Sequence, residues 1–223
     1  TAKPEHILCF AGAEEGIYVA MRVLLNHNDH AIIVVPNYQA AETIPLDICE
    51  VSGVPLNPEE NWTLDIDRVK NEIRPNTKLI SINFPNNPTG AILSRERLDE
   101  LIKICRSRGL YLFSDEVYRL LERDTQLQLP QIADIYERGL SLNVMSKAYG
   151  LPGLRLGWIM CKEGTILQNM ERYKHYLSIC NSAPSEHLSM IALKAKQQIL
   201  ERNRTLINAN IKILCEFFNE FSD

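Results

Sequence analysis

Short apolar runs alternate with amphipathic stretches along most of the chain. The runs at 32–35 and 79–84 are rich in β-branched or aliphatic residues, which is typical of buried strands. Between such runs, apolar residues recur at helical spacing, as in the face formed by Ile17, Ala20 and Leu24. Predicted strands cover 7–10, 32–35, 48–51, 79–84, 110–113, 140–144 and 156–161. Predicted helices cover 17–25, a short stretch around Ala40, 65–74, the segment between the N-cap Ser94 and Gly109, 165–178 and 184–221. The alternation predicts an α/β fold with three layers, in which helices cover both faces of a mostly parallel sheet.

Composition and charge narrow the class of protein. Of 223 residues, 45% are hydrophobic and 23% are charged, which is ordinary for a globular chain and excludes a disordered tail. The net charge of −4, from 24 basic and 28 acidic residues, gives no electrostatic case for binding nucleic acid or an anionic membrane surface. Six dispersed cysteines without a CxxC pair predict neither a disulfide framework nor a metal site. No apolar run approaches the roughly 20 residues of a membrane-spanning helix and no leader is visible, so we expect a cytoplasmic protein.

Two predicted strands end in turns that suit a ligand, because ligands of parallel sheets bind at the carboxyl ends of the strands. Strand 7–10 runs into Ala-Gly-Ala-Glu-Glu-Gly at 11–16, where backbone N–H groups at a helix start can bind an anion. A tight packing turn explains that pattern about equally well. Strand 79–84 runs into Phe-Pro-Asn-Asn-Pro-Thr-Gly at 84–90, in which two prolines and a glycine fix a loop that projects an amide. An ordinary turn is the alternative there.

Two later strand ends supply charged groups. Strand 110–113 is followed by Ser-Asp-Glu-Val-Tyr at 114–118, and an Asp115 carboxylate at the sheet edge needs a cationic partner unless it only caps a helix. Strand 140–144 is followed by Lys147 in a loop of small residues, with Arg155 eight residues further on. A lysine that is desolvated or near other cations is a nucleophile or an imine former, whereas a lone lysine is most often a surface charge.

Taken together, these loops resemble those of the aspartate-aminotransferase-like family, which are fold-type I enzymes that use pyridoxal 5′-phosphate (PLP). The resemblance rests on FPNNPTG at 84–90, SDEVY at 114–118 and SKAYGLPGLRLGW at 146–158, in family order. It implies a large, PLP-binding domain over residues 1–200, and a long helix at 201–223 that leads toward a small domain largely absent from the chain. It also implies a transaminase, a transferase of amino acid metabolism that moves an amino group between an amino acid and a 2-oxo acid.

The resemblance implies a role for each matching residue. Lys147 matches the lysine that forms the internal aldimine with PLP, and Asp115 matches the aspartate that pairs with the pyridine nitrogen and keeps the ring an electron sink. Tyr118 and Asn87 match donors to the PLP 3′-oxygen, and Tyr38 matches the aromatic residue that stacks on the ring. The phosphate contacts match Ser146, Arg155 and the backbone amides of Gly12, Ala13 and Glu14. The implied catalytic residues are therefore Lys147, Asp115 and Tyr118, and the Glu14 side chain should point away from the phosphate.

One position departs from the family pattern, and the reaction stays open. Val144 stands where relatives often have a serine on the phosphate, which removes one hydroxyl contact. The resemblance implies a homodimer, and it places the arginine that grips the substrate carboxylate in the small domain, so we expect this chain alone to be weakly active. The alternatives are other PLP chemistries on the same scaffold (a C–S lyase, a decarboxylase or a cyclase) and a non-enzymatic binding or regulatory module.

Overall fold

A computed structural model describes residues 2–221 and contains a seven-stranded sheet in the order β1-β7-β6-β5-β4-β2-β3. The strands are β1 (Ile7–Phe10), β2 (His30–Val35), β3 (Glu50–Pro55), β4 (Thr77–Asn83), β5 (Tyr111–Asp115), β6 (Gly139–Val144) and β7 (Gly157–Cys161). Neighbouring strands from β6 to β3 pair in parallel, whereas β7 runs antiparallel to both β6 and β1. The carboxyl ends of β1, β2, β4, β5 and β6 therefore meet at one edge of the sheet, where β7 begins.

Hydrophobic cores on both faces of the sheet pack most of the helices against it, and a third cluster, which contains Ala192 and Leu200, packs the last two helices. The helices are α1 (Ala13–Leu24), α2 (Gln39–Leu46), α3 (Ile66–Glu72), α4 (Arg95–Arg108), α5 (Ile132–Ile135), α6 (Gly164–Lys174), α7 (Ala183–Lys194) and α8 (Lys196–Glu220). Side chains alternate along β2, so that Ala31 and Ile33 pack with α1, α2 and α6, whereas Ile32 and Val34 pack with α3, α4 and α5. The three-layer α/β fold with a mostly parallel sheet is thus confirmed.

Several element boundaries differ from the prediction. Strand β3 covers Glu50–Pro55 rather than 48–51, so it begins and ends later in the chain than predicted. Because β3 lies at the sheet edge and pairs with β2 alone, it tolerates both Gly53 and Pro55. The helix predicted at 165–178 ends at Lys174, and a loop at 175–182, here called the α6–α7 loop, connects it to α7.

The long helix predicted at 184–221 is two helices that meet at Ala195, where ψ is 14°. The second of these, α8, starts at Lys196 rather than at 201, and Leu200 is its buried residue. The apolar stripe that continues along α8 is exposed at Leu206, Leu214 and Phe217. Within residues 2–221 we find no helix, α8 included, that is both long and apolar enough to cross a membrane.

Candidate active site

A cavity of about 290 Å³ opens at the edge where the parallel strands end. All of the predicted site residues except Gly12 line this cavity: Ala13, Glu14, Tyr38, Asn87, Asp115, Tyr118, Ser146, Lys147 and Arg155. Gly12 lies beside it, because a Cβ at Gly12 would come within 2.7 Å of an Arg155 guanidinium nitrogen. The fold therefore brings together loops that are far apart in the sequence.

Asp115 is the last residue of β5 and is 4% exposed. Its Oδ1 accepts the backbone N–H of Val117 at 3.1 Å, which fixes the carboxyl group in place. Burial raises the pKa of Asp115 to about 7; the Val117 N–H and the nearby Lys147 ammonium act in the opposite direction, and Glu14 adds to the rise. A carboxyl group in this condition would be stabilised in its charged form by a cation bound in the cavity.

Lys147 lies in the turn that follows β6. Its side chain is exposed on the cavity wall, so the loop of small residues does not desolvate it. The Lys147 Nζ lies 5.7 Å from the centroid of the Tyr118 ring, which is within cation–π range. A lysine, a buried aspartate and a phenol thus share one cavity, which is a suitable set for proton transfer.

The start of α1 and Arg155 form a positively polarised part of the site. Gly12 is the N-cap of α1 and has φ 99°, a backbone conformation that favours glycine. The first N–H groups of the helix have no helical acceptor and carry the positive end of its dipole. Arg155 Nη1 donates to Ser146 Oγ at 3.3 Å and to the Pro152 carbonyl at 3.1 Å. Amide N–H groups, a guanidinium and a hydroxyl together suit a phosphate.

Gly157, the first residue of β7, allows the turn at 11–13 to lie directly against the sheet. A Cβ at Gly157 would come within 2.8 Å of the Gly12 carbonyl carbon, 2.9 Å of the Ala13 nitrogen and 3.1 Å of the Asn143 carbonyl oxygen. Real Cβ atoms do not approach backbone so closely, so any larger residue would displace the turn. The sequence motif contains this glycine, but sequence reasoning assigned it no role.

Two residues on the cavity wall, Glu14 and Val144, bear on expectations from the sequence. Glu14 is exposed, and its carboxylate interacts with the Tyr38 hydroxyl, which raises the pKa of Tyr38. The Glu14 side chain therefore lies on the cavity wall beside Tyr38. Val144, the buried last residue of β6, also lines the cavity and offers no hydroxyl there, as the sequence indicates.

Sequence reasoning missed Asn83, which joins the loop at 84–90 to β5. Asn83 is buried at the end of β4, and its Nδ2 donates to the Asp115 carbonyl at 3.1 Å. Its Oδ1 accepts the N–H of Asn87 at 2.8 Å. Asn86 links the same loop to the Pro36 carbonyl at 3.1 Å. The available signal was a polar residue at the very end of an apolar strand.

Known proteins match this arrangement along almost the whole chain. Residues 1–221 match the family model for aminotransferase class I and II. The chain belongs to that family. A probable aspartate aminotransferase of Methanocaldococcus jannaschii is 27% identical over 202 residues, which are 88% of this chain and 53% of that protein. A glutamate-pyruvate aminotransferase of Haemophilus influenzae is 32% identical and covers 85% of this chain and 48% of its own length.

Solved structures of the aminotransferase family have the same fold. A PLP-dependent aminotransferase from Streptococcus suis superposes with a TM-score of 0.92 at 36% identity, over 98% of this chain and 57% of that one. An aspartate aminotransferase from Thermus thermophilus with maleate superposes with a TM-score of 0.90 at 25% identity, over 98% of this chain and 58% of that one. The chain therefore spans about half the length of the curated relatives it matches. The resemblance seen in the sequence is confirmed, and so is PLP as the cofactor of that family.

Proposed function

We propose that this chain is the PLP-binding part of an aminotransferase that moves an amino group between an amino acid and a 2-oxo acid. The observation that carries the proposal is the convergence of Lys147, the buried Asp115 and an anion-binding turn on one cavity. Fold alone would not support an activity, but this set of groups has a specific chemistry.

The walls of the cavity fit PLP. Burial raises the pKa of Asp115 to about 7, so a nearby cation would stabilise its charged form. A protonated pyridine nitrogen is such a cation. The turn at 12–14 and Arg155 offer N–H donors suited to a phosphate group. When bound, PLP supplies an electron sink for the charge that develops at the substrate Cα.

In this proposal each predicted residue has a role toward cofactor and substrate. Lys147 Nζ would attach the cofactor and would carry the proton between the substrate Cα and the cofactor C4′, and Asp115 would keep the ring nitrogen protonated. Tyr118 and Asn87 would donate to the ring oxygen, and Tyr38 would cover one face of the ring. The proposed phosphate contacts are Ser146, Arg155 and the backbone N–H groups of Gly12, Ala13 and Glu14.

We further propose that the protein works as a homodimer, and that the second subunit and a small domain complete the substrate site. Support comes from exposed apolar side chains on the α6–α7 loop and α7, such as Tyr176, Ile179 and Met190. We assign the cofactor domain to residues 1–200. Phe217 and Phe218 on α8 are exposed, and these apolar side chains support a further domain that packs against them. Because the chain spans about half the length of its relatives, we expect slow turnover from these 223 residues alone. The cytoplasmic location stays a prediction.

A PLP titration tests the proposal. PLP added to the chain should produce a visible absorption band, and borohydride reduction should fix the cofactor on Lys147, as read by peptide mass spectrometry. Lys147→Ala should abolish both signals. The matched control is Lys196→Ala, which removes an exposed lysine at the start of α8 and should leave both unchanged.

Two outcomes would contradict the proposal. A band of equal strength in Lys147→Ala would show that Lys147 is not the attachment point. A product assay with amino acid donors decides the reaction: a 2-oxo acid formed with aminated acceptor supports transamination, whereas pyruvate with ammonia, or released CO₂, would indicate a lyase or a decarboxylase.

A further inference from the structure

Glu15 connects the turn at 11–14, which we call the anion-binding turn because the proposed phosphate site lies there, to a segment that is remote in the sequence. Glu15 Oε2 accepts the backbone N–H of Ala11 at 2.6 Å, directly before the N-cap of α1. Glu15 Oε1 accepts the backbone N–H of Ser178 at 3.0 Å, and the Ser178 hydroxyl donates to Oε2 at 3.0 Å. Ser178 belongs to the α6–α7 loop, so one carboxylate holds both the turn and this loop.

A buried cation completes the connection. Lys174 is 5% exposed, and its Nζ donates to Ser178 Oγ at 3.0 Å. The Ser178 hydroxyl thus accepts from an ammonium and donates to a carboxylate, and such charge-assisted hydrogen bonds are strong in a partly buried setting. Lys174 also offsets the negative charge of Glu15, which would otherwise oppose an anion at the neighbouring turn.

The α6–α7 loop is held in an unfavourable conformation. Ile179 has φ 58°, and a β-branched residue rarely adopts the left-handed region. The side chains of Tyr176 and Ile179 are exposed, so burial of these side chains does not fix the loop. The hydrogen bonds of Ser178 and the bond from the Ile179 N–H to the Lys174 carbonyl at 2.9 Å hold it instead.

We propose that Glu15 is a positioning residue for the phosphate end of the cofactor site, and that it couples anion binding at the turn to the conformation of the α6–α7 loop. The identity of the anion rests on the proposed function. Coupling between two sites is reciprocal, so an anion at the turn stabilises the loop and an ordered loop strengthens anion binding. Glu15 acts through the backbone of Ala11 and does not itself contact the cofactor.

The first experiment separates the phosphate end from the rest of the site. Glu15→Ala should raise the dissociation constant for PLP about tenfold, the effect of losing a charge-assisted contact, and should leave that for pyridoxal, which lacks the phosphate, within about twofold. Glu171→Ala, which removes an exposed carboxylate from α6, is the matched control and should change neither. An equal loss for PLP and pyridoxal, or no loss for PLP, would overturn the positioning role.

The second experiment uses Ser178→Ala, which removes one hydroxyl and keeps the backbone contact to Glu15. In the unaltered chain, saturating inorganic phosphate should slow amide hydrogen exchange in the α6–α7 loop. In Ser178→Ala this protection should shrink at least about threefold, since the bridge to Lys174 is lost. An unaltered chain in which phosphate does not protect the loop, or a variant with full protection, would refute the coupling.

The two proposals can fail separately. If PLP gives no band that depends on Lys147, the proposed function fails, yet protection of the loop by inorganic phosphate still tests the connection through Glu15. If the band appears but Glu15→Ala leaves PLP affinity unchanged, the cofactor assignment stands and the positioning role is wrong.

Discussion

Replacing Gly157 with alanine should displace the turn at 11–13, the proposed phosphate site, and weaken PLP binding. The new Cβ would lie 2.8 Å from the Gly12 carbonyl carbon and 2.9 Å from the Ala13 nitrogen. Carbon atoms in contact sit roughly 3.5–4.0 Å apart, so the turn must move by more than half an ångström. Overpacking of this kind costs about 1–3 kcal/mol of stability. The same shift misaligns the N–H groups that would face the phosphate, and we expect the dissociation constant for PLP to rise about tenfold.

Gly164→Ala is the matched control, because a Cβ there meets nothing within 4 Å. Urea unfolding of the unliganded variants measures the stability change, and an absorbance titration measures PLP affinity. Gly157→Ala should lose both stability and affinity, and Gly164→Ala should lose neither. If Gly157→Ala unfolds at the same urea concentration as the unaltered chain and binds PLP equally well, the turn does not lie close against β7 and the reasoning is refuted.

Two pH predictions follow from buried groups. The pKa of Asp115 is about 7 in the folded chain against 3.8 for the free group, so the folded state binds more protons and the PLP-free chain should lose stability as pH rises from about 4 to 7. Asp115→Asn should flatten that slope in urea unfolding, and parallel curves would contradict it. His30 is buried between Thr77 Oγ1 at 2.8 Å and Ser52 Oγ at 3.1 Å, and burial together with Arg74 lowers its pKa below 6.5. The unfolded state then binds the extra proton, so stability should fall as pH drops below about 6.5. His30→Gln should remove this loss, and a variant that keeps all of it would refute the role of His30.

The sequence predicts the layers of the fold well because periodicity reports burial. Runs such as 32–35 are apolar on both faces, as strands inside a parallel sheet with helices on both sides must be. Strand β3 was misplaced because it lies at the edge, where Gly53 and Pro55 are tolerated and the pattern weakens. The division of the last helix at Ala195 carries no glycine or proline signal, so helical spacing alone could not show it.

The residues of the candidate site were predictable where a side chain has a proposed chemical role, and less so where it supports the backbone. Lys147 and Asp115 follow apolar strands, and the topology then brings them to one cavity. Asn83 and Glu15 act through hydrogen bonds to partners fixed by tertiary structure, namely the Asp115 carbonyl and Ser178. No local pattern reports such partners, because sequence distance does not reveal which segments meet.

The position of β7 between β6 and β1 also bears on the order in which the chain can fold. The pairing of Phe10 with Gly157 joins the first strand to the last, and β7 is the strand partner of β1. During synthesis on a ribosome, β2 to β6 can assemble first, whereas β1 cannot pair until β7 has been synthesised. The turn after β1 and Arg155 before β7 therefore come together late, and the cofactor pocket should be completed only after most of the sheet has formed.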